Sequence, residues 1–306
     1  MNALSTTNLM KRYGGTQALA GIDLAIPTGS IYGLVGPNGS GKTTALEILA
    51  GLRHPTSGKV ELSVDRADVA YCPDVGDFEP WLTAAEVLDS ASGLLGRPQS
   101  RATIDAMLAR IGLAESANRR VGGFSRGMRS RLGLAAGLIG EPKFLIADEP
   151  AAALDPAGRW EIIDLLASLA GSMTVLVSSH DLADVERICD QIGVLVKGRL
   201  VYQGGLTDLL ARAAPALQVV VRPPADQLVS AIAATAWARS VAETEPGVIR
   251  TDVIDPAAAE RELPQLLAAS GSHLVEVGRA GVSLQDIFFE LTGTGPRLLA
   301  ATKERP

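Results

Sequence analysis

The chain has 306 residues, a formal net charge of -6 and 47% hydrophobic residues, which is enough material for a sizeable buried core and for two domains. Proteins that bind nucleic acid by neutralising phosphates are usually basic, whereas here 34 acidic residues exceed 28 lysines and arginines, so we expect no nucleic-acid partner. Cys72 and Cys189 lie far apart without ligands at metal spacing, which argues against a disulfide framework and a zinc site. The longest apolar run, 165–179, is short for a membrane-spanning helix, and we expect none.

Residues up to about 205 alternate apolar strands with helices and short turns, the pattern of an α/β domain on a largely parallel sheet. The clearest predicted strands are 30–36, 143–148 and 173–179, and each is apolar almost throughout, as strands covered on both faces are. Each ends in a polar segment. Because α/β sheets bind ligands at the carboxyl ends of their strands, we expect these segments to form a site. A hairpin is predicted over 196–205.

The sequence composition changes near the proline-rich turn at Arg222, and we place a domain boundary there. The predicted elements after it alternate in the order strand, helix, strand, strand, helix, strand and helix, over 217–222, 225–236, 239–244, 247–254, 257–269, 273–279 and 283–292. That order predicts an α+β ferredoxin-like domain. We therefore expect one domain over 1–210, a small C-terminal domain over 216–295, and a disordered tail over 296–306.

The segment GPNGSGKTT fits the P-loop pattern and directly follows the first predicted strand. Its glycines let backbone N–H groups curl around phosphate oxygens, and the following helix points its positive end at the same anion. We expect Lys42 to reach the β- and γ-phosphates and the Thr43 hydroxyl to bind magnesium. The expected nucleotide-binding residues are Gly36, Pro37, Asn38, Gly39, Ser40, Gly41, Lys42, Thr43 and Thr44.

Two carboxylates and a histidine follow the other two strands. The strand in KFLIADEP delivers Asp148 and Glu149, whose side chains diverge and therefore are expected to differ in role. We assign Asp148 to the magnesium ion and Glu149 to orienting or deprotonating the attacking water. His180 follows MTVLVSS, and its imidazole is placed to hydrogen-bond the γ-phosphate and sense hydrolysis.

Together, the P-loop, VGGFSRGM, FLIADEP, AAALD and VSSHD resemble the motifs of an ATP-binding-cassette (ABC) ATPase in order and spacing, over about the first 205 residues. The resemblance implies a P-loop NTPase fold with a helical subdomain over about 75–140. It also implies a head-to-tail dimer that holds each ATP between the P-loop of one subunit and the signature motif of the other. By this resemblance Tyr13 stacks on adenine, Ser125 and Gly127 touch the partner's γ-phosphate, and Asp155 meets the partner beside its P-loop.

Two positions depart from the family pattern. The signature LSGGQ is matched by FSRGM, in which Arg126 replaces a glycine and adds a positive charge near the partner's nucleotide. Asp74 stands where the family has a magnesium-sensing glutamine after Tyr-x-Pro. A carboxylate reaches magnesium directly or through water, so Asp74 is expected to take part in catalysis and in metal binding.

The resemblance also implies partners. DFEPWLTAAE is similar to the surface on which a permease docks, with Phe78 and Trp81 as apolar anchors. VSLQDIFFELTG, at the end of the C-terminal region, is similar to ATPase subunits of bacterial drug and antibiotic exporters. The expected protein is the ATPase subunit of an exporter, a homodimer or heterodimer at the cytoplasmic face of the membrane. A soluble ABC ATPase acting on ribosomes or DNA and a weakly hydrolysing regulatory subunit remain alternatives.

Overall fold

A computed structural model describes residues 1–211, 216–280 and 284–292. The chain divides into two compact units, Met1–Thr207 and Asp208–Pro306, close to the predicted boundary after residue 210. The predicted disordered tail, 296–306, lies outside the described residues. No helix in the described ranges combines the length and the apolar character that a membrane span needs.

An antiparallel sheet opens the first unit. Its strands are β1 Asn2–Tyr13, β2 Thr16–Ile22, β3 Ala25–Pro27 and β5 Ser57–Leu62, and β1 pairs with each of the other three. Leucines and isoleucines of this sheet, among them Leu4, Leu9 and Ile22, are fully buried against the central sheet. The long strand β1 ends at Tyr13, so the predicted adenine-stacking residue lies at the rim of the sheet.

The central sheet has six strands in the order β10-β9-β4-β8-β7-β6. Their bounds are β4 Ile31–Val35, β6 Val69–Cys72, β7 Phe144–Asp148, β8 Thr174–Ser179, β9 Gln191–Val196 and β10 Arg199–Gly205. All neighbours are parallel except β9 and β10. Every residue of β4, β7 and β8 is buried, which confirms the three strands predicted from apolar runs. The carboxyl ends of β4, β8, β7 and β6 therefore lie side by side.

Strands β9 and β10 form the predicted hairpin. Its turn residues, Lys197 and Gly198, both have positive φ, 48° and 74°. Two consecutive left-handed residues are the requirement of a type I′ turn, whose twist matches that of the flanking strands. The first strand of the hairpin begins at Gln191, earlier than predicted, because β9 also pairs with β4 in the parallel sheet.

Seven helices are described in or beside the first unit: α1 Lys42–Leu49, α2 Ala84–Leu94, α3 Arg101–Arg110, α4 Arg126–Leu138, α5 Pro156–Ala167, α6 Leu182–Ile188 and α7 Leu206–Ala211. Helices α2, α3 and α4 contact one another within the region predicted as a helical subdomain. Each begins at a capping side chain, from Thr83, Ser100 and Ser125. Thr83 and Glu86 complete a reciprocal capping box.

The second unit contains the elements predicted for it, in the predicted order. They are β11 Ala216–Val221, α8 Asp226–Ala233, β12 Ala238–Glu245, β13 Val248–Val253, α9 Pro256–Ala269, β14 Leu274–Ala280 and α10 Leu284–Thr292. The four strands form an antiparallel sheet in the order β12-β13-β11-β14. Its core includes Trp237, whose indole N–H donates to Glu262 over 2.9 Å. The assignment of 216–295 as a ferredoxin-like domain stays a prediction.

Candidate functional site

The P-loop joins β4 to α1. Several of its positions require glycine, either because a side chain would clash or because the backbone is left-handed. A Cβ on Gly36 would lie 2.2 Å from the carbonyl oxygen of Leu195, so no side chain fits there. Gly39 and Gly41 have φ values of 76° and 108°, a region that other residues rarely adopt. A Cβ on Gly39 would meet no heavy atom within 4 Å. The chain therefore leaves open space on the Cβ side of Gly39.

Two side chains of the P-loop, those of Lys42 and Ser40, are buried. Lys42 is 7% exposed, and its Nζ donates to the carbonyl oxygen of Gly36 over 2.8 Å. Ser40 Oγ is buried and has no hydrogen-bond partner among the described residues. A buried hydroxyl without a partner is unusual and indicates a group that a phosphate oxygen can satisfy. The P-loop thus fits the triphosphate expected from its sequence.

The ammonium group of Lys42 also lies near the carboxylates that follow β7. Its Nζ is 3.8 Å from Oε1 of Glu149. Burial lowers the pKa of Lys42, and the charges of Glu149 and Asp148 act in the opposite direction. Strands β4 and β7 flank β8, and this order brings the P-loop lysine to the acidic pair.

Asp148 is buried and held by a serine of the neighbouring strand. Asp148 and Ser178 are register partners in the parallel pair β7 and β8, and Ser178 Oγ donates to Asp148 Oδ1 over 2.5 Å. The same Oγ accepts a hydrogen bond of 2.9 Å from the N–H of Glu149. Ser178 was not predicted as a site residue. Its only sequence signal is a polar residue directly after the apolar run of β8.

Glu149 and His180 form a direct contact. Glu149 has a φ of 49°, which turns its side chain away from the strand that ends at Asp148. Its Oε2 lies 2.6 Å from Nδ1 of His180 and accepts a hydrogen bond from the His180 N–H over 3.3 Å. The His180 side chain is 58% exposed. Lys42, Glu149 and His180 therefore form one network, at the edge where the sequence placed them.

The loop that carries His180 is anchored to α5. Arg159 forms ion pairs with Asp181 and Asp184, which lie directly after His180 and in α6. These contacts tie the histidine loop to the helix that Asp155 caps through its bond with the Gly158 N–H. Asp155, predicted to face the partner, and His180 are thus linked through α5.

The residues of the signature motif lie at the start of α4, as a second group. Ser125 is exposed and caps α4, accepting a hydrogen bond from the Met128 N–H. A Cβ on Gly127 would lie 3.1 Å from the carbonyl oxygen of Ala153, so the signature packs closely on the segment before Asp155. In the described part of the chain, no hydrogen bond joins Ser125, Gly127 or Asp155 to Lys42, Glu149 or His180.

Arg126 and Asp74, the two departures from the family pattern, contact each other. Arg126 Nη2 lies 2.6 Å from Asp74 Oδ2, although the residues are 52 positions apart. Both side chains are partly exposed, at 59% and 38%. The other oxygen, Asp74 Oδ1, is buried without a hydrogen-bond partner in the described part of the chain. Sequence reasoning treated the two residues separately and did not foresee this contact.

Tyr13 lies at the rim of the antiparallel sheet and is 42% exposed. Lys11 Nζ and the Arg53 guanidinium lie 5.0 and 5.9 Å from the centre of its ring. These distances are those of cation–π contacts. The ring is accessible, and its predicted role in adenine stacking stays a prediction.

The predicted docking segment borders an apolar groove of about 410 Å³ next to β6, α2 and α4. Phe78 and the side chains of Tyr71, Leu94 and Leu95 line it. Phe78 also packs on Gly76, where a Cβ would lie 2.3 Å from its ring. Trp81 is 63% exposed and does not line the groove.

The predicted magnesium ligands are Thr43, Asp148 and Asp74. Thr43 is exposed in the first turn of α1, beside Lys42. Among the described residues, no group of three or more His, Cys, Asp and Glu side chains is placed to hold a metal ion by itself. A hydroxyl and a buried carboxylate fit a cation that also binds phosphate oxygens.

Comparison with known proteins identifies relatives along the whole chain. Residues 19–152 match the model of the ABC transporter family. The chain is 33% identical to the daunorubicin resistance ATP-binding protein DrrA3 of Streptomyces coeruleorubidus, over 98% of both chains. It is 31% identical to the bacitracin transport ATP-binding protein BcrA of Enterococcus faecalis, over 95% of this chain and 97% of the relative.

Among solved structures, the chain resembles an ATP-binding cassette described as dimeric and bound to ADP and Pi in a post-hydrolysis state. That comparison has a TM-score of 0.61 and 27% identity, and it covers 66% of this chain and 98% of the other.

Proposed function

Because the chain belongs to the ABC transporter family, we propose that it powers a separately encoded permease that exports drugs or antibiotics. The chain is an ATP-binding subunit that hydrolyses ATP for transport. Export is supported by relatives that match nearly the full length and are named for drug resistance and antibiotic transport. The same names favour transport over the alternative of action on ribosomes or DNA.

The observation that carries hydrolysis is the network of Lys42, Glu149 and His180 beside the P-loop. Phosphoryl transfer needs a positioned nucleophile and compensation of phosphate charge more than covalent chemistry. Glu149 holds or accepts the proton of the attacking water, and Lys42 and the loop N–H groups stabilise the phosphate oxygens. His180 positions Glu149 and reaches the γ-phosphate from its exposed side. An intact network speaks against the weakly hydrolysing regulatory alternative.

Magnesium is the cofactor we propose, held by Thr43 and Asp148, with Asp74 contributing directly or through water. A bound Mg²⁺ would neutralise charge on the β- and γ-phosphates. Ser178 holds the buried Asp148 carboxylate in position for this role.

Dimer closure is proposed because the chain carries two separate half-sites. The P-loop network lies at the carboxyl edge of the central sheet, while Ser125 and Gly127 lie at the start of α4. In the proposed homodimer or heterodimer, Ser125 of one subunit completes the ATP site of the other, and Asp155 lies beside it.

We propose that the permease docks at the apolar groove lined by Phe78 and also contacts the exposed ring of Trp81, which lies outside the groove lining. Docking would place the subunit at the cytoplasmic face of the membrane. Co-expression with a candidate permease, a six-span membrane protein sought among the neighbouring genes, tests this surface. Trp81→Ala is expected to weaken copurification, and Trp160→Ala, which removes an exposed ring on α5, serves as the matched control.

We further assign residues 1–210 to the ATPase domain and 216–295 to a ferredoxin-like accessory domain. Deleting residues after 215 is expected to leave ATP binding intact, since the nucleotide-site residues lie in the first unit. Loss of ATP binding on deletion would contradict this division.

The central experiment is Glu149→Gln. This change removes the proton acceptor but keeps the shape of the side chain, so turnover is expected to fall about a hundredfold or more while an ATP-bound dimer accumulates. Phosphate release and sedimentation with ATP measure the two effects. Glu161→Gln, an exposed glutamate on α5, is the control. An unchanged rate would remove Glu149 from its role.

A further inference from the structure

The ion pair between Arg126 and Asp74 connects the two half-sites of one chain. Asp74 lies two residues after β6, at the edge of the sheet that also carries Asp148, Glu149 and His180. Arg126 is the first residue of α4, directly after the signature serine. The contact joins the two positions that differ from the family motifs, one in the signature and one near the P-loop.

The exposure of the pair makes it easy to exchange. Ion pairs between partly exposed side chains contribute little to stability, because water already solvates both charges. A guanidinium binds phosphate oxygens through two parallel hydrogen bonds, and such bonds strengthen where water is excluded. A triphosphate at a closing interface is therefore a better partner for Arg126 than the Asp74 carboxylate is.

The hydrogen bonding of the Asp74 carboxylate also favours an exchange of partners. Its Oδ2 is bound to Arg126, while its Oδ1 is buried with no hydrogen-bond partner among the described residues. A buried carboxylate oxygen without a donor is costly, and a cation relieves that cost. Asp74 is therefore suited to exchange the arginine for a cation that arrives with the nucleotide.

We propose that Arg126 and Asp74 form an exchange pair, in which Arg126 leaves Asp74 for the γ-phosphate held by a second subunit when the dimer closes. This inference rests on the proposed dimer closure. Before closure, Asp74 holds Arg126 within its own subunit. When a nucleotide binds the P-loop of that subunit, Asp74 releases Arg126, which then completes the ATP site on the second subunit. The pair thereby makes closure of each ATP site depend on occupancy of the other.

The test is a set of four proteins in the Glu149→Gln background: the parent, Asp74→Gln, Arg126→Gly, and both changes together. Sedimentation with ATP gives the dimer dissociation constant of each. Asp74→Gln is expected to tighten the dimer about threefold or more when Arg126 is present, because the arginine is released, and less than about twofold when it is absent. Arg126→Gly alone is expected to weaken the dimer.

The charge exchange Asp74→Arg with Arg126→Asp provides a second variant. It keeps an ion pair within the chain but places a carboxylate at the signature, so its ATP-dependent dimer is expected to be weaker than that of Arg126→Gly. If it dimerises as tightly as the parent, only the internal pair matters and the proposal is wrong.

Arg101 and Asp105 supply the matched control. Arg101 is also the first residue of a helix capped by serine, and its ion pair with Asp105 is similarly exposed. Arg101→Gly and Asp105→Gln are expected to leave the dimer dissociation constant within about twofold of the parent. An equal effect of this pair would attribute the result to surface charge in general and overturn the proposal.

The outcomes distinguish a failure of dimer closure from a failure of the exchange between Arg126 and Asp74. A parent that binds fluorescent ATP but stays monomeric contradicts closure between two copies of this chain, and the exchange with it. A parent that dimerises, with an equal effect of Asp74→Gln in the presence and absence of Arg126, contradicts the exchange alone. Thermal unfolding of every variant confirms that each has folded.

Discussion

The imidazole of His180 contacts the carboxylate of Glu149, with Nδ1 2.6 Å from Oε2. We predict that His180→Ala lowers kcat about a hundredfold, because it removes the group that orients Glu149 and that is proposed to contact the γ-phosphate. Equilibrium binding of ATP is expected to change little, because Lys42 and the P-loop remain. His54→Ala, at an exposed histidine outside this network, is the control. Full activity in His180→Ala would contradict the role of the contact.

Ser178→Ala is predicted to impair stability and catalysis together. The change leaves the Glu149 N–H and the Asp148 carboxylate without their buried partner, at a cost of about 1–3 kcal/mol in the free energy of unfolding. Ser92→Ala removes a fully buried hydroxyl on α2, away from the acidic pair. Urea denaturation and kcat are measured for both. A loss of kcat in Ser178→Ala alone supports positioning, and an equal loss in both contradicts it.

Gly39→Ala is predicted to separate folding from nucleotide binding. A left-handed alanine costs about 1–2 kcal/mol wherever it occurs, and Gly171 has nearly the same φ, 74° against 76°. Neither Cβ would meet a heavy atom of the chain within 4 Å. Both variants are thus expected to lose similar stability, but only Gly39→Ala is expected to lose ATP affinity, because only Gly39 belongs to the loop proposed to bind the phosphates. Calorimetric titration with ATP and thermal unfolding check this expectation.

Cys72 is predicted to make stability depend on alkaline pH. Burial raises the pKa of its thiol from 9.0 to about 12. The folded state therefore keeps the proton longer than the unfolded state, and the thiol's contribution to stability is present below pH 9 and declines between about pH 9 and 12. Cys72→Ala is expected to flatten this part of the profile of urea unfolding in reducing buffer. If the free energy of unfolding falls with pH above 9 equally steeply in Cys72→Ala and in the unchanged protein, the prediction is wrong.

Much of the first unit is predictable from the sequence, because its central strands are apolar runs that end in chemically distinctive residues. Asp148 and His180 stand directly after such runs, and parallel strands bring their ends to one edge. Ser178 was missed since its role depends on the register that sets it beside Asp148, which local sequence does not reveal. The contact between Arg126 and Asp74 was missed because it joins segments 52 residues apart.

Ser125, which caps the start of α4, has two roles that together restrict which residue can occupy its position. Serine, asparagine and aspartate cap helices about equally well, so helix formation alone does not select Ser125. In capping, its oxygen accepts a hydrogen bond from the Met128 N–H through a lone pair, and the hydroxyl proton is not consumed. Aspartate would offer no proton and would repel an anion. One atom of Ser125 can thus begin a helix in its own subunit and still donate to a phosphate oxygen in another.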